Sequence, residues 1–343
     1  MTDELDIATD GKLGIISLNR PAAINALSLA MIEGVADILG RWRDDPAIGA
    51  VLFEGKGPKG FCSGGDVRAM RALVLDGKSG EADAYFAAEY GMNGLIATYP
   101  KPLIALSHGI VMGGGIGIAG HCRYRLTQPG ARFAMPEAAI GFFTDVGVNA
   151  ILAKAPLNRA LLFQMSGVSV GAADALALGL ADAVVAPERV AAIRVALAQA
   201  AGSSHPDTAI VGVLEAESIV AGDTPFAALA ELLPPGTPNS AADFLARVAA
   251  IPALAELSAL LASRSPTALT AIFHSQLAAR ALIDVMPVLA MDLRLARHMV
   301  RQPDFAEGVR AVLVDKDQRP VWSPAGLADV DPVALLATLE GPR

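Results

Sequence analysis

Two carboxylates stand eight residues apart in FAMPEAAIGFFTDVG, residues 133–147: Glu137 directly after Pro136, and Asp145 directly before Val146. Apolar side chains flank both. A carboxylate in such surroundings has its charged form disfavoured, which lifts its pKa towards values useful for proton transfer. Asp145 also precedes VGVNAILAKA, where an acid can act simply as a helix cap. Glu137 has less structural purpose, which makes it the stronger catalytic candidate. Two glycine-rich runs come earlier, GFCSGGDV at 60–67 and MGGGIGIAG at 112–120. In the first, glycines ahead of Asp66 permit a tight turn whose N–H groups face an anion or a polarised carbonyl oxygen. The alternative is a plain turn with Asp66 as the cap of the following helix. In the second, Gly115, Gly117 and Gly120 spell GxGxxG, with Glu137 a further 17 residues on. That pattern belongs to dinucleotide-binding folds, but here it follows several other elements instead of opening a βαβ unit, so it is weak.

The remaining reactive residues offer less. His108, His121, His205, His274 and His298 have no metal-ligand spacing. Cys62 lies beside the first glycines with no histidine at a telling distance, which argues against a thiol nucleophile. Cys62 and Cys122 suggest neither a disulfide framework nor a metal site. No metal site is expected from these spacings. Of the 343 residues, 53% are hydrophobic and 18% charged, which favours a large packed core over disorder. The net charge is −8, from 27 basic and 35 acidic residues, and no basic run interrupts it. That balance excludes nucleic acid held by a broad cationic surface. The acidic N-terminus is unlike a targeting peptide, and no apolar stretch has the length of a spanning helix. A soluble, cytoplasmic protein with no membrane contact is expected.

The elements that must position these residues alternate. KLGIISL, AIGAVLFEG and PLIALSHGIVM read as buried strands, and CRYRLTQ and ARFAM as two more. Ser28 caps an expected helix through LAMIEGVADILGRWRDD, a short helix starts at Val67, and a longer one through AYFAAEYGMNGLIATY stops before Pro100. Strands alternating with helices to about residue 200 predict an α/β core. Beyond it helical patterns dominate, broken by SSHP, LPPGTPNS and SRSP, with two long helices after Ser265. Three consecutive regions are expected: a core at 1–200, an inserted helical region at 201–264 and a C-terminal helical region at 265–343.

A GGD loop, a GGG loop, a PE and a DVG in that order resemble the crotonase (enoyl-CoA hydratase/isomerase) superfamily of acyl-coenzyme A enzymes. RPAAINALS, residues 20–28, looks like its first CoA-binding segment, which implicates Asn25 and Ala26, with Asp66, in binding substrate. The resemblance implies an α/β, crotonase-like spiral of repeated β-β-α units. It also implies an oxyanion hole made by the backbone N–H groups of Gly65 and Gly114. Such donors contribute about 3–4 kcal/mol each where charge develops on a thioester oxygen. Typical hydratases of this family carry a second glutamate two residues after the GGG triplet, and here that position is Gly117. FAMPE, a phenylalanine-rich stretch and DVG are similar to the 3-hydroxyisobutyryl-CoA hydrolase branch, as is PDFAEGVRAVLVDKDQRPVWSPAGLADV at 303–330. Thr144 departs from the proline usual in that branch. The resemblance spans residues 11–200 and about 265–330.

It implies hydrolysis of a short 3-hydroxyacyl-CoA, a step of valine catabolism. Glu137 would be the base or nucleophile, Asp145 would bind the substrate hydroxyl and Glu89 would be a substrate-contacting acid. For Glu89 the alternative is an exposed helical acid. No cofactor beyond the substrate's own coenzyme A is implied, and a homo-oligomer is compatible. A hydratase or dienoyl-CoA isomerase on the same scaffold, and a non-catalytic CoA-binding scaffold, are the alternatives.

Overall fold

A computed structural model describes residues 2–340. The chain divides into two compact units, each assembled from three separate stretches. The first comprises Met1–Gly65, Gly91–Phe133 and Val170–Thr224; the second comprises Asp66–Tyr90, Ala134–Ser169 and Pro225–Arg343. The consecutive regions expected at 1–200, 201–264 and 265–343 do not coincide with these units. Hydropathy patterns report local elements, whereas the units arise from contacts between stretches far apart in sequence.

The first unit holds the strands β1 (Leu5–Asp10), β2 (Leu13–Leu18), β3 (Ala50–Gly55), β4 (Gly60–Cys62), β5 (Leu103–Ser107), β6 (Ile110–Met112), β7 (Tyr124–Thr127), β8 (Arg132–Ala134) and β9 (Ala183–Val184). Six of them form a sheet in the order β1-β2-β3-β5-β7-β9, and β4-β6-β8 form a second, smaller one. β1 runs antiparallel to β2, and the rest of the large sheet is parallel. Parallel strands need crossovers, and β2 and β5 are buried along their whole length, as strands covered on both faces must be. Leu13, Ile15, Ala50, Leu52, Ile104 and Leu106 project alternately from three strands and pack with Ile193, Leu197 and Ile210 of the helices Val190–Ala201 and Pro206–Glu217. Each buried Leu or Ile among them contributes about 1.5–3 kcal/mol of hydrophobic stabilisation. The α/β class expected from the alternating pattern is the one observed.

Two local departures are instructive. β1 is largely exposed, so no apolar run marks it, and it is held by pairing with β2 across the turn at Gly11, where φ is +56°. PLIALSHGIVM, expected as one strand, is two. β5 ends at Ser107, and the chain turns at Gly109 (φ +52°) into β6 of the other sheet. A Cβ at Gly109 would lie 2.4 Å from the Lys59 carbonyl oxygen, so the turn requires glycine twice over.

The second unit is helical. Ser265 and Asp284 cap the helices Pro266–Leu282 and Val285–Met299, matching the two long helices expected after Ser265. Ala150, Ala279, Val288 and Met291 form a core between these helices and Val148–Leu152. LPPGTPNS lies between the helices Pro225–Ala230 and Ala241–Ala249. Among the described residues no single helix is long and apolar enough to cross a membrane.

Candidate active site

The two glycine loops meet within the first unit. Gly64 has φ +106°, and a Cβ there would sit 3.3 Å from the Met112 carbonyl oxygen and 3.6 Å from the Gly114 nitrogen. A Cβ at Gly115 would stand 2.5 Å from the Cys62 carbonyl oxygen. The glycines therefore let two backbones approach where no side chain fits. Gly113, at φ +49°, turns the chain so that Gly114 begins the short helix Gly114–Ala119. A first-turn N–H has no partner inside its own helix. Neither Gly65 nor Gly114 donates its N–H to a backbone carbonyl among the described residues. The GxGxxG glycines thus serve close packing of a six-residue helix that follows a strand of the smaller sheet.

Asn25 supports this arrangement from beneath. It is fully buried, and its amide group donates to the carbonyls of Lys56, Gly60 and Phe61 at 3.0, 3.2 and 3.0 Å while accepting from Arg20 N–H at 2.9 Å. Its side chain, expected to bind substrate, is engaged in holding the strand that leads to the first glycine loop. Ala26 is half-buried, and its carbonyl accepts from the Arg20 guanidinium at 2.6 Å. The Cys62 thiol donates to the Asn25 carbonyl at 3.1 Å.

The carboxylates gather in the second unit. Glu89 lies in the helix Ser79–Ala97, which contributes its residues up to Tyr90 to this unit. Glu137 opens a 3₁₀ turn, Glu137–Ile140, that Gly141 ends in the left-handed region. Asp145 stands in the loop before Val148–Leu152. Glu89 is 3%, Glu137 8% and Asp145 6% exposed, so Glu89 is not the exposed helical acid of the alternative reading. Asp145 does not cap the helix with its side chain; its carboxylate accepts from the Tyr90 hydroxyl at 2.6 Å. Oε1 of Glu89 and Oε2 of Glu137 are buried without a protein partner. Phe142 stacks on Phe86 at 5.4 Å and packs against Phe143 and Phe305, which makes the surroundings apolar.

The electrostatics follow from that packing. Burial first, then the Asp145 charge, pushes Glu137 and Glu89 well above the ordinary carboxylate range. Burial pushes Asp145 up to about 7, against the opposing pull of the Tyr90 hydrogen bond. Burial therefore raises the proton affinity of the cluster towards neutrality, where a carboxyl both takes up and releases protons readily.

Three participants were not among the expected site residues. Tyr90 adjoins Glu89 in sequence. Asp292, in Val285–Met299, is fully buried and accepts from the Gly147 N–H at 2.8 Å. Thr144 is fully buried, and its hydroxyl is unpartnered. The acid in AMDLRLARHMV was a detectable signal for Asp292, since a helix otherwise apolar on that face has no use for a carboxylate there. Asp66 accepts from the Ala69 N–H at 3.4 Å and caps the helix Val67–Leu75, the plainer of its two expected roles.

The family model described as enoyl-CoA hydratase/isomerase matches residues 13–339, and the chain belongs to that family. It is 35% identical over 329 residues to mitochondrial 3-hydroxyisobutyryl-CoA hydrolase from Danio rerio, covering 93% of this chain and 85% of the relative. The human protein of the same name is 34% identical over 337 residues, covering 96% and 86%. Among solved structures, a carnitinyl-CoA dehydratase from Mycobacterium thermoresistibile superposes with a TM-score of 0.89 at 32% identity, covering 100% of this chain and 97% of that one. An enoyl-CoA hydratase from Rhodobacter sphaeroides gives 0.89 at 31% identity, covering 99% and 98%.

Proposed function

We propose that this enzyme hydrolyses a short 3-hydroxyacyl-CoA thioester, with 3-hydroxyisobutyryl-CoA as the first candidate substrate. The observation that carries the reading is Glu137: a buried carboxyl, pushed above its usual range, with one oxygen free of protein partners. The names of relatives about one-third identical over most of the chain support it. The N–H groups of Gly65 and Gly114 hold the thioester oxygen as it gains negative charge. Glu137 then either takes a proton from the attacking water or adds to the carbonyl itself, forming an anhydride that water opens. The C–S bond breaks, and the departing coenzyme A thiolate takes the proton that Glu137 drew from water or, on the anhydride route, a proton of the water that opens the anhydride. Asp145, oriented by Tyr90, pairs with the 3-hydroxyl. Glu89 is a further carboxyl on the substrate. Polarisation by hydrogen bonds leaves no step requiring a metal or redox cofactor. A place in valine catabolism follows if the substrate is the 3-hydroxyisobutyryl ester.

A hydratase is the second reading, favoured by the descriptions of the two solved structures. Against it, Gly117 lies fully packed inside the helix Gly114–Ala119 and supplies no second acid. Thiol release from (S)-3-hydroxyisobutyryl-CoA, run beside crotonyl-CoA, separates the two. Release lost on Glu137→Gln in a folded protein supports the hydrolase. Loss of the crotonyl double bond without thiol release would establish the hydratase instead.

A further inference from the structure

We propose that Asp292 is a positioning residue for Asp145, clamping a strained turn that aims the Asp145 carboxylate. Its part in catalysis rests on the hydrolase reading above; its part in the turn does not. Asp145 is followed by Val146 at φ +52° and Gly147 at φ +74°, two consecutive left-handed residues. For glycine that conformation is free, but for a β-branched residue it is a strained outlier, maintained only where the surroundings enforce it. Val146 is 1% exposed, so solvent does not relieve it.

The enforcement comes from two sides. On one, Asp292 Oδ2 accepts the Gly147 N–H at 2.8 Å, reaching across 145 residues of sequence. On the other, Asn149 donates to the Thr144 carbonyl at 2.8 Å and is itself held by Gln164. Asp292 grips the turn from a different helix of the unit. Without it, the Gly147 N–H would be left unpaired in the interior, and the turn would lose the contact that pins its left-handed half. Asp292 Oδ1 is buried and has no hydrogen-bond partner, so the Gly147 N–H is the backbone group that fixes this carboxylate. Burial raises Asp292 well above the usual range, while the Gly147 N–H, Asn149 and Arg294 oppose this and Asp145 adds to it.

The test compares Asp292→Leu, which keeps bulk but has no acceptor, with Asp292→Asn, which keeps the acceptor. Two readouts are taken: thiol release, and backbone hydrogen exchange over the peptide 141–149. The proposal expects Asp292→Leu to lose about 10–100-fold in kcat with KM changed less than about threefold, and to exchange faster at 141–149, with Asp292→Asn close to wild type in both. Unchanged kcat in a folded Asp292→Leu protein overturns it. So does unchanged exchange at 141–149. If Asp292→Leu does not fold, Asp292→Ala is read by the same criteria. A wild-type protein that releases no thiol sinks the hydrolase reading alone, and the clamp is then decided by the exchange measurement.

Discussion

Tyr90 and Asp145 are joined by a hydrogen bond of 2.6 Å between side chains 55 residues apart, and both are buried. The phenol is the Asp145 carboxylate's one side-chain donor that holds its pKa down. Tyr90→Phe should therefore move the Asp145 titration upward from about 7, visible by carbon NMR of labelled aspartate. A hydrogen bond to a charged group is worth about 1.5–3 kcal/mol, so kcat/KM for the 3-hydroxyacyl ester should fall about 10–100-fold. A titration that stays in place would show that the phenol does not serve this carboxylate.

Stability should depend on pH in a defined direction. Asp145 is raised in the folded protein from 3.8 to about 7, so the native state keeps a proton that the unfolded chain has released. The contribution of Asp145 to stability therefore falls as pH rises from about 4 to 7 and is constant above that. Asp145→Asn removes this liability: its advantage over wild type should be absent near pH 4 and on the order of 2–4 kcal/mol near pH 8. Chemical denaturation at the two pH values measures it. An advantage that shrinks with rising pH would reverse the sign and refute the account. Activity should be lost in the same variant, the usual conflict between a buried acid and a stable core.

Gly115→Ala should damage the glycine loops. The new Cβ would lie 2.5 Å from the Cys62 carbonyl oxygen and 2.9 Å from its Cβ, so the helix Gly114–Ala119 must move off β4. We expect about 1–3 kcal/mol of destabilisation in denaturant titrations, and slower thiol release because Gly114 moves with the helix. A variant as stable as wild type would mean that the two backbones are less closely packed than the geometry requires.

Thr144→Val should be neutral or favourable. Thr144 is fully buried with an unpartnered hydroxyl, and valine keeps its shape while removing the unsatisfied group. A gain of up to about 1 kcal/mol is expected in the same titrations. A loss above about 1 kcal/mol would reveal a partner for that hydroxyl.

The legible parts of this protein are those encoded by local pattern. Ser28, Ser265 and the apolar spacing behind them mark helices that form as read, because capping and amphipathicity act within a few residues. β2 and β3 were equally plain as apolar runs. β1 was not, because an exposed edge strand has no hydropathy signature, and the break at Gly109 was hidden inside a continuous apolar stretch. The apolar setting of Glu137 and Asp145 was visible in FAMPEAAIGFFTDVG itself, and the structure buries both.

By itself the sequence determined which residue types were available: two glycine runs able to approach another backbone, acids embedded among apolar neighbours, and strands long enough for a covered parallel sheet. Only the tertiary structure decided what each would meet. It engaged the Asn25 side chain in the fold, set Asp66 as a cap, and buried Glu89. It also brought Tyr90 to Asp145 and Asp292 to Gly147 across 55 and 145 residues. The physical reason is one of range. Propensity, capping and periodicity act over a turn or two of chain, whereas desolvation, charge coupling and the enforcement of a strained turn depend on which distant segments exclude water together.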